Sequence, residues 1–186
     1  MSLFRKIPAK PLLAAMIMTL SPSLFAQQRT KPADAPAAQS GGESKQDYKS
    51  IGSPLPPIRA VYPGKGTYTN KDVQNGANLF VMLFNPTCEH CQDMTIDFHK
   101  NLSLFGKSNI IMLASPSMGA YLELFDDATH VNKYPRIRVG LDSADFISKT
   151  FLYENLPQVN IYSPEGKLLK TYSGITTIDS LKRFIQ

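Results

Sequence analysis

The stretch LFVMLFNPTCEHCQDM, Leu79 to Met94, holds both cysteines of this 186-residue chain. Its first part is a continuous apolar run of strand length, the pattern of a strand covered on both faces. Beyond it Cys91, Met94, Phe98, Leu102 and Phe105 recur at steps of three and four, which predicts an amphipathic helix closing near Gly106. Cys88 then falls at or just before the first helical turn, where unpaired backbone N–H groups and the helix dipole stabilise an anion. A thiolate is the reactive form of cysteine. Cys91, one turn further on, lies on the same face and within reach of the Cys88 sulfur, so it can resolve a mixed disulfide. As a structural staple the pair would be poor, because closing so short a loop removes little entropy from the unfolded chain.

Composition restricts the setting of this chemistry. A 42% hydrophobic content fits one globular domain with a real core. The net charge is +5, but Arg5, Lys6 and Lys10 supply three of those charges, and 5 − 3 leaves +2. No later basic cluster follows, so nucleic acid is not expected as a partner. The three charges precede an apolar stretch, Leu12 to Leu20, and then SPSLFA, ending at Ala26. This is the layout of a secretory signal peptide over 1–26, too short in its apolar part to span a bilayer. Export to the periplasm or cell envelope follows, with membrane contact only if the segment stays uncleaved. Residues 27–50 are rich in Pro, Ala, Ser and Gly and read as a flexible polar tether. The folded domain is expected over 51–186.

Within that domain, SPLPPIRAVYPGKGTYT reads as an extended, turn-rich segment with a hairpin at Pro-Gly and Gly-Lys-Gly. NIIMLAS is a second buried strand, and SMGAYLELFDDATH carries helical spacing through Met118, Leu122 and Phe125. RIRVGLD is a third strand, followed by a helix in SADFISKTFLYEN capped by Asp142 or Ser143. QVNIYS and KLLKTYS form a hairpin about PEG, and TTIDSLKRFIQ closes the chain as a helix. Strands alternating with helices, then a hairpin and a helix, predict an α/β sandwich with a mixed central sheet flanked by helices.

FVMLFNPTCEHC followed by LPQVNIYSPEGKLLKTYSG resembles the thioredoxin superfamily. More narrowly it is similar to the exported bacterial thioredoxin-like (TlpA/ResA-like) thiol-disulfide oxidoreductases, over about Ile51 to Gln186. The resemblance implies a thioredoxin-like fold and a Cys88–Cys91 redox couple. It also implies a cis proline at Pro157 and a backbone at Leu156 that pairs with substrate. Partners would be proteins bearing disulfides or thiols, and an unidentified redox partner that resets the couple; no cofactor is implied. The leading segment and Glu89 resemble reducing members of the family, whereas a histidine within the insert pulls towards oxidants. Protonated His90 would stabilise a Cys88 thiolate, while Glu89 is either a partial proton relay or simply an acid favoured in a first helical turn. Two departures stand out: the chain has no tryptophan beside the first cysteine, and Met82 replaces the acid that thioredoxins often bury six residues before it. The alternative function is a soft-metal module in which Cys88, Cys91 and a histidine, His90 or His99, hold Cu(I). A peroxidase of the same fold would need a partner arginine that the sequence does not reveal.

Overall fold

The computed structural model describes residues 46–143, 146–151 and 155–186. The expected signal peptide and most of the expected tether lie outside the described residues. A seven-stranded sheet runs in the order β2-β1-β5-β4-β3-β6-β7. Its centre is β3 (Leu79–Phe84), parallel to β4 (Asn109–Ala114) and antiparallel to β6 (Gln158–Tyr162). β5 (Ile137–Asp142) extends the parallel side, and β7 (Leu168–Ser173) pairs with β6 across the predicted hairpin. The segment before β3 forms the expected hairpin, β1 (Arg59–Tyr62) and β2 (Gly66–Thr69), whose first strand joins the β5 edge through Ala60–Asp142 and Val61–Leu141. Gly140 lets these strands close up, since a Cβ there would stand 2.9 Å from that of Ala60.

All six residues of β3 are buried, and they divide by parity. Phe80, Met82 and Phe84 join an apolar cluster with Cys91, Met94 and Phe98 of α2 (Glu89–Lys100), Leu122 and Phe125 of α3 (Leu122–Thr129) and Leu181 of α5 (Ile178–Leu181). Leu79, Val81 and Leu83 enter the opposite cluster, with Val73 of α1 (Asn70–Val73) and Phe151 of α4 (Phe146–Phe151). The mixed sheet covered on both faces is thus the expected α/β sandwich.

The helix boundaries differ from the pattern in three places. α2 stops at Lys100 rather than near Gly106, because Asn101 turns its backbone N–H and its side-chain Nδ2 (2.9 Å) onto the Asp97 carbonyl. Asparagine competes for helix hydrogen bonds in this way. Successive turns then carry Phe105 into the core, edge-on to Phe80 (5.1 Å) and Phe98 (5.5 Å). The helix expected from Ser117 begins as a 3₁₀ segment, Pro116–Tyr121, before α3. Gly119, costly in a regular helix, sits within it. The closing helix is one α-turn, started by Thr177, whose side chain accepts from the Ser180 N–H (3.3 Å), and it continues as a 3₁₀ turn, Lys182–Phe184. The start of the helix expected in SADFISKTFLYEN, at 144 and 145, lies outside the described residues, and Ser143 donates its Oγ to the Arg59 carbonyl (3.0 Å).

Before β1, residues 52–55 run along β7, with Gly52 N–H on the Leu168 carbonyl (2.8 Å) and Leu55 N–H on that of Gly166 (2.7 Å). Tyr48, placed by the sequence in the tether, packs against the second cluster. Among the described residues no helix is long and apolar enough to cross a membrane.

Phe105 bridges two other rings with no exposed surface, so Phe105→Ala is expected to cost about 3–5 kcal/mol. Urea unfolding should show a lower midpoint with an unchanged slope.

Candidate active site

β3 ends at Phe84, and the next three residues form a side-chain-stabilised turn. Asn85 Oδ1 accepts from the Thr87 N–H and from Thr87 Oγ1, both at 2.9 Å. The Cys88 N–H then donates to the Asn85 carbonyl (3.0 Å), and Gln92 Nε2 reaches back to the Pro86 carbonyl (3.0 Å). The turn is tied at both ends, so the helix must begin at Cys88. Cys88 is its N-cap, with φ −87° and ψ 120°, and its carbonyl accepts from the N–H groups of Cys91 (3.0 Å) and Gln92 (3.1 Å). Its side chain makes no capping bond, and the half-buried sulfur sits at the positive end of the helix dipole.

Cys91 is in a different state. It is fully buried in the apolar cluster, and burial pushes its thiol up to about 12. A hydrogen bond to the Cys88 side chain and the charge there push the same way, against an opposing contact from the Asn85 backbone. Both cysteines are free, and they touch. No carboxylate relieves this burial. Met82 fills its position in the same cluster, and the one buried carboxylate among the described residues, Asp142, lies on β5, two strands away.

Next to the cysteines is a groove of about 160 Å³. His90, Asp93, Met94 and Asp97 of α2 form one wall; Pro157, Ile175 and Thr176 form the other. The Leu156–Pro157 peptide bond is cis, as the resemblance implies, and the Pro157 carbonyl accepts from the Gly174 N–H (3.0 Å). Leu156 packs its side chain against both apolar clusters. The structure therefore brings His90 and Pro157 together, whereas Glu89 is exposed on the first turn outside the groove. The sequence reading missed Asp93, Asp97, Ile175 and Thr176. The helical spacing of the two aspartates and the isoleucine in the polar turn SGITT are visible in the sequence, but neither shows that the two segments share a groove.

His99 and His130 lie apart from this site. His99 stacks on Tyr134 (4.4 Å, 8° between planes), and burial lowers its pKa. Among the described residues no three His, Cys, Asp or Glu side chains are grouped to hold a metal ion.

No family model matches the sequence, and no curated protein matches it. Solved structures do resemble it in fold. The thioredoxin domain of a thiol-disulfide oxidoreductase from Bacteroides vulgatus superimposes with a TM-score of 0.61 at 16% identity, covering 75% of this chain and 100% of that one. A secreted Mycobacterium tuberculosis disulfide oxidoreductase homologous to E. coli DsbE gives 0.56 at 12% identity, over 69% and 93%. The pneumococcal exposed lipoprotein thioredoxin Etrx1 of Streptococcus pneumoniae gives 0.54 at 18%, over 70% and 98%. The fold is thioredoxin-like.

The buried Cys91 thiol has a consequence for stability. Its folded pKa, about 12, lies above the ordinary value of 9.0, so the folded state holds this proton more tightly. The stabilisation is complete below the ordinary value and is lost as pH rises through this interval, by up to about 1.4 kcal/mol per pH unit. Reduced protein should lose stability above pH 9 more steeply than Cys91→Val, measured as the difference in urea unfolding between the two from pH 8 to 10.5.

Proposed function

We propose that this chain is an exported thiol-disulfide oxidoreductase that reduces protein disulfides, with Cys88 as nucleophile and Cys91 as resolving thiol. One observation carries the reading: the two sulfurs are held in opposite states, Cys88 half-buried at a helix N-terminus and Cys91 sealed with its proton at about 12. Beside them the groove containing cis Pro157 gives a substrate peptide somewhere to lie, with the Leu156 backbone as its pairing edge.

The cycle balances as two electrons passed from the dithiol to a substrate disulfide. Cys88 Sγ, as thiolate, attacks one substrate sulfur; the substrate S–S bond breaks, and a Cys88–substrate mixed disulfide forms. The departing substrate thiolate takes up a proton. Cys91 gives that proton to the departing thiolate and attacks Cys88 Sγ; the Cys88–substrate S–S bond breaks, the Cys88–Cys91 disulfide forms, and the second substrate sulfur leaves as a thiolate that is protonated from water. An external dithiol must return two electrons to reset the couple, and it too would be a protein partner. Export is supported by the charged and apolar segments over 1–26, and by the secreted and surface-exposed relatives of the same fold. The reducing direction rests on the resemblance of Glu89 and the leading segment. The copper alternative has less support, since among the described residues no three His, Cys, Asp or Glu side chains are grouped to hold a metal ion.

Cys91→Ser, expressed in its own cell envelope, should accumulate mixed disulfides through Cys88, whereas Cys88→Ser should accumulate none; the reverse pattern would sink the assignment. His90→Pro should make the couple more reducing by a few tens of millivolts, because an imidazole beside Cys88, whenever protonated, favours the reduced form, and about 30 mV is a factor of ten for two electrons. Equilibration of each protein against glutathione measures this, and an unchanged or higher potential would make His90 a bystander.

A further inference from the structure

The groove beside the cysteines is chemically lopsided. Asp93 and Asp97 are four residues apart on α2, so their side chains stand one turn apart on one helical face, roughly 6 Å between Cβ atoms. Both are exposed and both line the groove. Neither carboxylate is in an ion pair among the described residues, and no lysine or arginine lines the groove. His90 is the one basic side chain there. The remaining walls are largely apolar: Met94, Pro157 and Ile175. Ile175 is 74% exposed, in the turn between β7 and α5, where it contributes nothing to either core cluster.

A groove lined by two carboxylates and otherwise largely apolar side chains fits one kind of side chain. Lysine and arginine carry a long hydrocarbon stem ending in a cation, and they lie along apolar surface while the charge reaches a polar edge. The volume, about 160 Å³, is well below that of a cofactor or drug-sized ligand pocket and suits a single long side chain. A glutamate in the same position would face two carboxylates.

We propose that this groove selects substrate disulfides flanked by a basic residue, with Asp93 and Asp97 as the specificity-determining side chains. The proposal rests on the oxidoreductase reading for its consequence in turnover, but the charge preference of the groove can be measured without it. Exposed charge pairs are screened by water and salt, so the effect is one of several-fold and is largest at low ionic strength.

The test uses two short peptides containing an intramolecular disulfide, identical except for Lys or Glu beside one cysteine. Their reduction by the protein is compared at low salt, after dividing by the rate with dithiothreitol, which corrects for the intrinsic reactivity of each disulfide. Wild type should favour the Lys peptide about tenfold in kcat/KM, and Asp93→Asn and Asp97→Asn should each lower that ratio about two- to threefold. Glu165→Gln, a charge change in the β6–β7 hairpin at the opposite end of the sheet, should leave it unchanged. In a second arm the cysteines of both peptides are replaced by serine, and binding is followed by amide shifts of Ile175 and Thr176. The Lys peptide should bind several-fold more tightly, and the double variant Asp93→Asn/Asp97→Asn should lose the difference. Equal affinities in wild type, or a preference that survives the double variant, would overturn the proposal. If the serine peptides are discriminated but neither disulfide is reduced, the oxidoreductase reading falls and the selectivity of the groove stands.

Discussion

Strand β3 holds six apolar side chains and no polar one, and the site follows from that constraint. With all six of its residues buried, alternately towards the two clusters, it can sit only at the middle of a sheet covered on both faces. A chain leaving such a strand to enter the parallel strand β4 must cross back over one face, and α2 is that crossing. The start of α2 is therefore fixed at the C-terminal end of β3. Two consequences meet at this point. The N-cap sulfur is left at the rim of the sheet, where the helix dipole is positive, and the residue one turn along is driven beneath it into the apolar cluster. The asymmetry of the two cysteines is a property of the fold before it is a property of their chemistry.

The same constraint explains Met82. Its side chain points to the face that holds Cys91, with Met112 and Val159 beside it on the neighbouring strands. An acid there would have to be desolvated without a partner, which costs more than a methionine in the same cluster. Thr95, the buried hydroxyl nearest in sequence to Cys91, spends its hydrogen on the Cys91 carbonyl (2.7 Å). The polar groups that lie near the resolving thiol serve the helix backbone.

What was legible in the sequence was whatever burial dictates. The strands from β3 onwards stand out because their apolar runs are continuous or end at strong turn signals. The Cys-x-x-Cys placement follows from the strand before it and the helical spacing after it. The end of α2 was hidden because Leu102 and Phe105 keep a helical interval, although successive turns rather than a helix deliver them to the core. The 3₁₀ start at Pro116 is masked in the same way by the spacing of Met118 and Leu122. Tyr48 was assigned to the tether because its neighbours are polar, yet one aromatic ring suffices to hold that end against the core. In the site, Cys88, Cys91 and Pro157 could be named from motif and resemblance. Asp93, Asp97 and Ile175 could not, because hydrophobic periodicity reports which face is buried and is silent about which exposed residues from distant segments share a groove.

The missing base gives the couple an order of events. Part of what holds the proton on Cys91 is Cys88 itself, through a hydrogen bond and through its charge. In the proposed cycle the charge is removed once Cys88 enters a mixed disulfide, which makes Cys91 easier to ionise after Cys88 has reacted. Burial remains, and with Met82 in place of an acid the proton has no internal destination. The group that arrives at the right moment is the substrate's own departing thiolate. Its two duties conflict, since a weakly basic thiol leaves readily but takes the Cys91 proton poorly. On the proposed cycle, resolution is expected to be fastest for substrates of intermediate thiol basicity, the substrate's own thiolate standing in for an acid beside Cys91.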